Sequence, residues 1–139
     1  MIASPSYASP SGIAQLVKEN SGANTAKTET ATIYAVGVPA PEGYTSAILR
    51  FWDDKREEAK TKQLFVLELY KDGRLEVLED KDADWTFETQ YTATGGSDQE
   101  LRKAVYQNKA AEKSEPSPAS KTAADSIRQT LERVIESKR

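Results

Sequence analysis

Asp80, Asp82 and Asp84 stand at alternate positions, the spacing of the first three ligands of a calcium-binding loop. Carboxylate oxygens are what a hard divalent cation takes. The rest of that pattern is missing. Trp85 holds the sixth place, where a glycine makes the sharp turn, and Tyr91 holds the twelfth, where a glutamate binds through both oxygens. The segment reads as an acidic, solvated turn between strands, and no metal site is assigned. A second set of carboxylates, Glu68, Glu76, Glu79 and Glu88, has the chemistry for general acid–base work. A working acid needs apolar surroundings that raise its pKa. Glu68 has apolar neighbours on both sides, Leu67 and Leu69, within the most apolar stretch of the chain. Its expected place is outward, on a partly solvated sheet face.

Gly95-Gly96-Ser97 precedes a helical pattern and offers backbone N–H groups to an anion. No Gly-rich phosphate motif surrounds it, so it reads as a strand-to-helix turn. Trp52, Trp85, Tyr34, Tyr44, Tyr70 and Tyr91 are the aromatics that would stack on nucleobases. Such sites interleave aromatics with basic residues. Residues 53–91 carry seven basic and twelve acidic side chains, which points away from nucleic acid. The run Asp53-Asp54-Lys55-Arg56-Glu57-Glu58 opens a loop to residue 62 that is longer than most hairpin connections. It reads as a solvated loop, and its length is the feature that favours contact with a partner.

The missing residue types are as informative. The 139 residues include no Cys and no His. That excludes disulfides, thiolate catalysis, His-assisted nucleophiles and Cys/His metal sites. Lys and Arg number 19 against 22 Asp and Glu, a net charge of −3, too acidic for a whole-surface nucleic-acid binder. The N-terminal residues lack the basic start and apolar run of a secretory signal, and no 18-residue apolar run occurs. The expected setting is intracellular and soluble, cytoplasmic by default, without membrane insertion. Ser-Pro dipeptides at Ser4-Pro5, Ser9-Pro10 and Ser117-Pro118 are too common to carry weight.

The elements that would position these residues are read from periodicity. Residues 1–27 form an extended arm holding a short helix over 10–19, with Ser9 as cap, Pro10 in the first turn and Ile13, Leu16 and Val17 on one face. Residues 28–112 form an α+β core with five strands, at 28–38, 46–52, 63–70, 74–80 and 84–92. Short connections without helical crossovers predict an antiparallel meander, either an open sheet or a small curled barrel. The stretch from Leu64 to Tyr70 is apolar on both faces apart from Glu68, so it is expected in the centre with covers on each side. At Lys71-Asp72-Gly73 the preferred hairpin has a three-residue loop, which puts Leu69 opposite Leu75 and keeps one face apolar. The last strand alternates, with Trp85, Phe87, Thr89 and Tyr91 on one face. Ser97 and Glu100 make a capping box for a helix running to about Lys109. Residues 113–121 read as a flexible linker, and 122–139 as a C-terminal amphipathic helix with Thr122 and Asp125 at its start. Lys138 and Arg139 suit the negative end of that helix.

Two binding readings follow, neither catalytic and neither needing a cofactor. In the first, the chain is an accessory or structural subunit that joins a larger protein assembly through its terminal helices. Ile127, Leu131, Val134 and Ile135 are the anchor face, with Ile13, Leu16 and Val17 second. The competing placement folds both helices back on the chain's own sheet. Self-association through the last helix is the remaining partner option, weak because it spans fewer than three heptads. In the second reading, the sheet holds a small ligand in a pocket lined by Trp52, Trp85 and Tyr91. A carboxylate-dependent enzyme centred on Glu68 is the weaker alternative.

Overall fold

A computed structural model describes residues 10–54 and 62–137. The Ser/Pro-rich N-terminus with Ser9, the 55–58 part of the charged loop, and Lys138 and Arg139 lie outside the described residues. The chain is α+β. Among the described residues seven strands form one open antiparallel sheet in chain order: β1 (Ala26–Lys27), β2 (Ala31–Val38), β3 (Ser46–Asp54), β4 (Lys62–Lys71), β5 (Arg74–Asp80), β6 (Thr89–Thr94) and β7 (Glu112–Ser114). Three α-helices cover it: α1 (Pro10–Asn20), α2 (Asp98–Tyr106) and α3 (Pro118–Ser137). No helix among the described residues is long and apolar enough to cross a membrane.

β4 occupies the middle of the sheet, and both of its faces are covered. Phe65, Leu67 and Leu69 join Ala47, Leu49, Phe51 and Leu78 on one face. Ile13, Leu16 and Val17 of α1 and Ala123, Ala124, Ile127 and Leu131 of α3 seal that layer. Val66 and Tyr70 point to the other face, with Leu75, Val77 and Ala93, under Leu101 of α2. A ladder of rings, Tyr34, Phe51, Phe65, Trp85 and Phe87, crosses the first face with centroid separations of 6.5, 5.2, 5.3 and 5.1 Å. Tilted and edge-on pairs at this spacing add about 0.5–1.5 kcal/mol each beyond burial.

The expected five strands become seven because both sheet edges are closed by very short strands. β1 returns along β2, pairing Ala26 with Ile33 and Lys27 with Thr32. Thr28 Oγ1 fixes that reversal by accepting from the Ala31 N–H at 2.9 Å. β7 pairs with β6 through Gln90–Ser114, Tyr91–Lys113 and Thr92–Glu112. Two or three residues are too few to show alternation. The barrel alternative is set aside by the open sheet order.

The β4–β5 hairpin takes the register that an apolar-matching argument disfavours. Lys71 pairs with Arg74 across a two-residue turn, and Leu69 faces Glu76, not Leu75. Gly73, at φ 67°, supplies the left-handed turn residue. This register is stable because β5 is buried on both sides. Leu75 and Val77 fill the α2 face, while Glu76 and Asp80 are buried on the other with polar partners.

The strand expected at 84–92 begins only at Thr89. Ala83 and Trp85 have φ of 54° and 65°, which breaks the alternation and turns Trp85 and Phe87 onto the α3 face while Tyr91 lies on the other. The stretch read as a linker, 113–121, holds the last two residues of β7 and the start of α3. That helix begins at Pro118, four residues earlier than Thr122, because Ser117 Oγ caps it by accepting from Ser120 N–H at 3.1 Å. The capping box at Ser97 and Glu100 forms as expected.

Both terminal helices therefore dock on this chain's own sheet. Leu131 is 4% exposed. Truncating a leucine at such a site costs about 2–5 kcal/mol. Leu131→Ala is expected to lower the thermal midpoint by several degrees, and Leu131→Asp by more. Circular dichroism melts of the two variants beside the parent check this, and unchanged melting would place α3 off the sheet.

Candidate functional site

The two faces of the sheet are covered unequally. α3 has 20 residues and α2 has 9, so at 1.5 Å per residue they reach about 30 and about 14 Å. The shorter helix leaves a gap. A cavity of about 460 Å³ opens between α2, the loop after it, and strands β4 to β7. Val66, Val77, Tyr91, Val105 and Ala111 form its apolar walls, and Glu79, Tyr106, Lys109 and Lys113 add polar groups. The sheet register explains the strand contribution: Val77, Tyr91 and Lys113 are directly opposite one another on β5, β6 and β7. Lys109 arrives from the α2–β7 connection, which is closed by Ala110 N–H on Ala104 O at 2.9 Å.

Glu68 lies beside this cavity and is fully buried, which corrects the outward placement expected from sequence. Its carboxylate is saturated with donors. Arg50 Nε donates to Oε2 at 2.8 Å, Tyr106 Oη to Oε2 at 2.6 Å and Tyr70 Oη to Oε1 at 2.7 Å. Arg102 in turn donates to Tyr70 Oη at 3.1 Å. Burial and the Glu68 charge push the Tyr106 phenol far above its ordinary value. Burial, with Glu68, pushes Tyr70 up to about 12. With both oxygens engaged and Tyr106 among its donors, this carboxylate anchors α2 to the sheet.

On the opposite face Glu76 plays the same part for α3. It accepts from Tyr44 Oη at 2.6 Å, from Ser120 Oγ at 2.9 Å and from Arg74 Nε at 2.7 Å. Burial alone would raise its pKa; the hydrogen bonds outweigh it and hold the group below the ordinary value. Burial and this carboxylate push Tyr44 up to about 12.

The three aspartates form a real cluster. One oxygen from each of Asp80, Asp82, Asp84 and Glu88 lies within 4.8 Å of the others. Asp80 is completely buried, while the other three are exposed. Its Oδ2 accepts from Trp85 N–H at 2.6 Å and its Oδ1 from Asp84 N–H at 3.3 Å. Those bonds hold the left-handed turn at Ala83 and Trp85. Burial first, and the neighbouring Asp82 second, push the Asp80 carboxyl up to about 8. Asp84 is held below its usual range, chiefly by the Thr86 N–H. The cluster thus keeps a proton on its buried member.

The residues singled out from sequence separate into three groups. Ile13, Leu16, Val17, Ile127 and Leu131 are buried in the core, Ile135 is half-buried against it, and Val134 is 37% exposed. A partner would reach the first five only by lifting the helices off the sheet. Trp52, Trp85 and Tyr91 do not line one pocket. Tyr91 lines the α2-side cavity, Trp52 packs on the same face, and Trp85 lies on the other, against a separate cavity of about 200 Å³ beside Ala124. Sequence reasoning missed Val66, Val77, Val105, Lys109 and Lys113 as one site. The helix that gathers them packs on strands distant in the chain, and no local spacing encodes that.

The protonated Asp80 sets a pH dependence. Its folded pKa of about 8 lies above the ordinary 3.8, so the folded protein keeps a proton that the unfolded chain has released. That contribution is complete below about pH 4 and is lost as pH rises through about 8. Glu76, with its lowered pKa, acts oppositely but only below its ordinary 4.5. The thermal midpoint is therefore expected to fall between pH 5 and pH 9. Asp80→Asn, which keeps a carbonyl acceptor for Trp85 N–H, is expected to flatten that slope. Melts at pH 5, 7 and 9 check both; parallel slopes in parent and variant would locate the titrating group elsewhere.

Comparison with protein-family models, with curated proteins and with solved structures finds no match to this chain.

Proposed function

We propose that the chain is a non-catalytic binding domain that takes a small ligand in the cavity between α2 and β4–β7. The observation that carries this reading is the cavity itself. Its volume of about 460 Å³ falls within the range of about 300–1,000 Å³ common for small-molecule sites. Its walls are mostly apolar, with a few polar groups at the margin, which is the usual composition of such sites. The neighbouring Arg50–Glu68–Tyr106 network ties α2 to the sheet, so the walls are held before a ligand arrives. The buried carboxylates are spent on structural ties, and the chain has no Cys or His, so catalysis draws no support.

A second reading, an accessory subunit bound to a larger protein assembly, keeps one observation in its favour. A groove of about 260 Å³ runs between α1, the end of β2 and α3, lined by Leu16, Val36, Val38 and Leu131 with Val134 at its margin. Beyond Ile33, no strand among the described residues pairs with the outer edge of β2. Val134→Asp separates the readings, because an exposed position can change without unfolding the chain or touching the cavity.

The ligand reading predicts that a ten-carbon chain probe, decanoate below its micelle concentration, shifts amide NMR signals saturably at Val66, Val77, Tyr91, Val105 and Ala111. Val105→Trp, which fills the cavity from α2, is expected to abolish those shifts while the melt is retained. Shifts centred on Val36, Val38 and Val134 would move the binding site to the other face and overturn the proposal.

A further inference from the structure

We infer that the ligand class is an anionic amphiphile, a chain of about ten carbons ending in a carboxylate or a similarly compact anion. This rests on the cavity being the binding site and adds the charge and shape of what it takes. Val66, Val77, Val105 and Ala111 offer no hydrogen bonds from their side chains, so the body of the ligand is apolar. At about 30 Å³ per water-sized group, the cavity of about 460 Å³ holds about fifteen such groups.

The charge is set by Lys109 and Lys113. Both line the cavity, both are exposed, and neither has an ion-pair partner among the described residues. One lysine comes from the α2–β7 connection and the other from β7, so two separate elements bring a cation to one margin. The other titratable groups lining the cavity are Glu79, Tyr91 and Tyr106. Two ammonium groups against one carboxylate leave the margin positive, in a chain whose net charge is −3. Lysine stems also lie readily along apolar walls with the ammonium at the mouth, which suits an amphiphile whose head stays at the surface.

The backbone supplies an independent observation. Lys109 has φ 50°, in the left-handed region that an L side chain with a long stem adopts reluctantly. Glycine or asparagine fits that conformation with less strain, and Asn108 is the immediate neighbour. A strained lysine over a cavity is the pattern of a residue kept for what it touches. A competing structural role is that Lys109 offsets the negative end of α2. The two roles predict different results for Lys109→Asn, which tolerates the backbone but removes the charge.

Isothermal titration of the full chain tests this, with decanoate and decyltrimethylammonium, each below its micelle concentration. Decanoate is expected to bind saturably and more tightly than the cationic chain, more weakly as salt rises. The double variant Lys109→Asn with Lys113→Gln is expected to lose about tenfold in decanoate affinity, as two exposed charge contacts imply. Lys109→Asn alone is expected to weaken decanoate binding while its thermal midpoint stays level or rises. Equal binding of the two chains, or decanoate binding untouched by the double variant, overturns the charge assignment and leaves the cavity reading standing. No saturable binding of either chain overturns the cavity reading itself. A lowered midpoint with binding intact assigns Lys109 to capping α2 and overturns the inference. Binding to vesicles of anionic phospholipid without binding to monomeric decanoate overturns the free amphiphile as ligand.

Discussion

The structure depends on one constraint: β4 is apolar on both faces and sits in the middle of an open sheet. Phe65, Leu67 and Leu69 on one side and Val66 and Tyr70 on the other leave no face that water can wet cheaply. Each side therefore needs a lid. An all-antiparallel meander supplies none from its short hairpins, so the lids come from before, after and beyond the strands. α1 and α3, far apart in sequence, share one face, and α2 takes the other alone. This accounts for the helical segments at both ends, which as isolated peptides are too short or too narrowly apolar to stand in water.

The double burial also explains why sequence reasoning succeeded at some elements and failed at others. β4 was legible because its apolar run is long and interrupted only by Glu68. α1 and α2 were legible because Pro10 and the Ser97–Glu100 box are local signals. The β4–β5 register was not, because matching apolar residues assumes one dry face. Once both faces are dry, Leu69 opposite Glu76 is acceptable, provided the glutamate finds donors. Tyr44 and Ser120 supply them from distant segments. The alternation of Trp85, Phe87 and Tyr91 misled for a related reason. A buried Asp80 carboxyl holds the Trp85 N–H and bends the chain out of the strand, and periodicity carries no record of that bond. The start of α3 had a readable signal, Ser117 before Pro118, the same signature used at Ser9-Pro10. Its composition resembled a linker, and β7 is too short to contradict that impression. The site was the least legible part. Its residues are gathered by the packing of α2 against four strands, and each alone looks like an ordinary core valine or surface lysine.

Four carboxyl groups of the described strands are buried, Asp53, Glu68, Glu76 and Asp80, and the last three meet the desolvation penalty differently. Glu68 is met by Arg50 and two phenols. Glu76 keeps its charge through Arg74, a phenol and a serine hydroxyl. Asp80 has no ion-pair partner among the described residues, takes two backbone N–H donors and retains its proton near neutrality. The first two solutions use donors from the lids, Tyr106 of α2 for Glu68 and Ser120 of α3 for Glu76. Burying the acid therefore requires the helix, and docking the helix satisfies the acid. This reciprocity selects one arrangement of helices on the sheet over others that would bury similar apolar area, because a wrong docking leaves a charge without its partners.

The unequal lids then determine where a ligand fits. α3 is long enough to lay Ala123, Ala124, Ile127 and Leu131 across the first face and close it. α2 is tied down near Glu68 by Tyr106 and near Leu75 and Ala93 by Leu101, and it ends there. Beyond its last turn the cavity that Val66, Val77 and Tyr91 line is bounded by the Lys109 loop and the three residues of β7. A longer α2 would lie over that cavity and fill it. The chain instead turns out at a strained lysine and returns as a short edge strand carrying a second lysine. The opening thus lies where the coverage of β4's second face stops, and the anchoring of α2 that protects Glu68 also fixes one wall of the cavity.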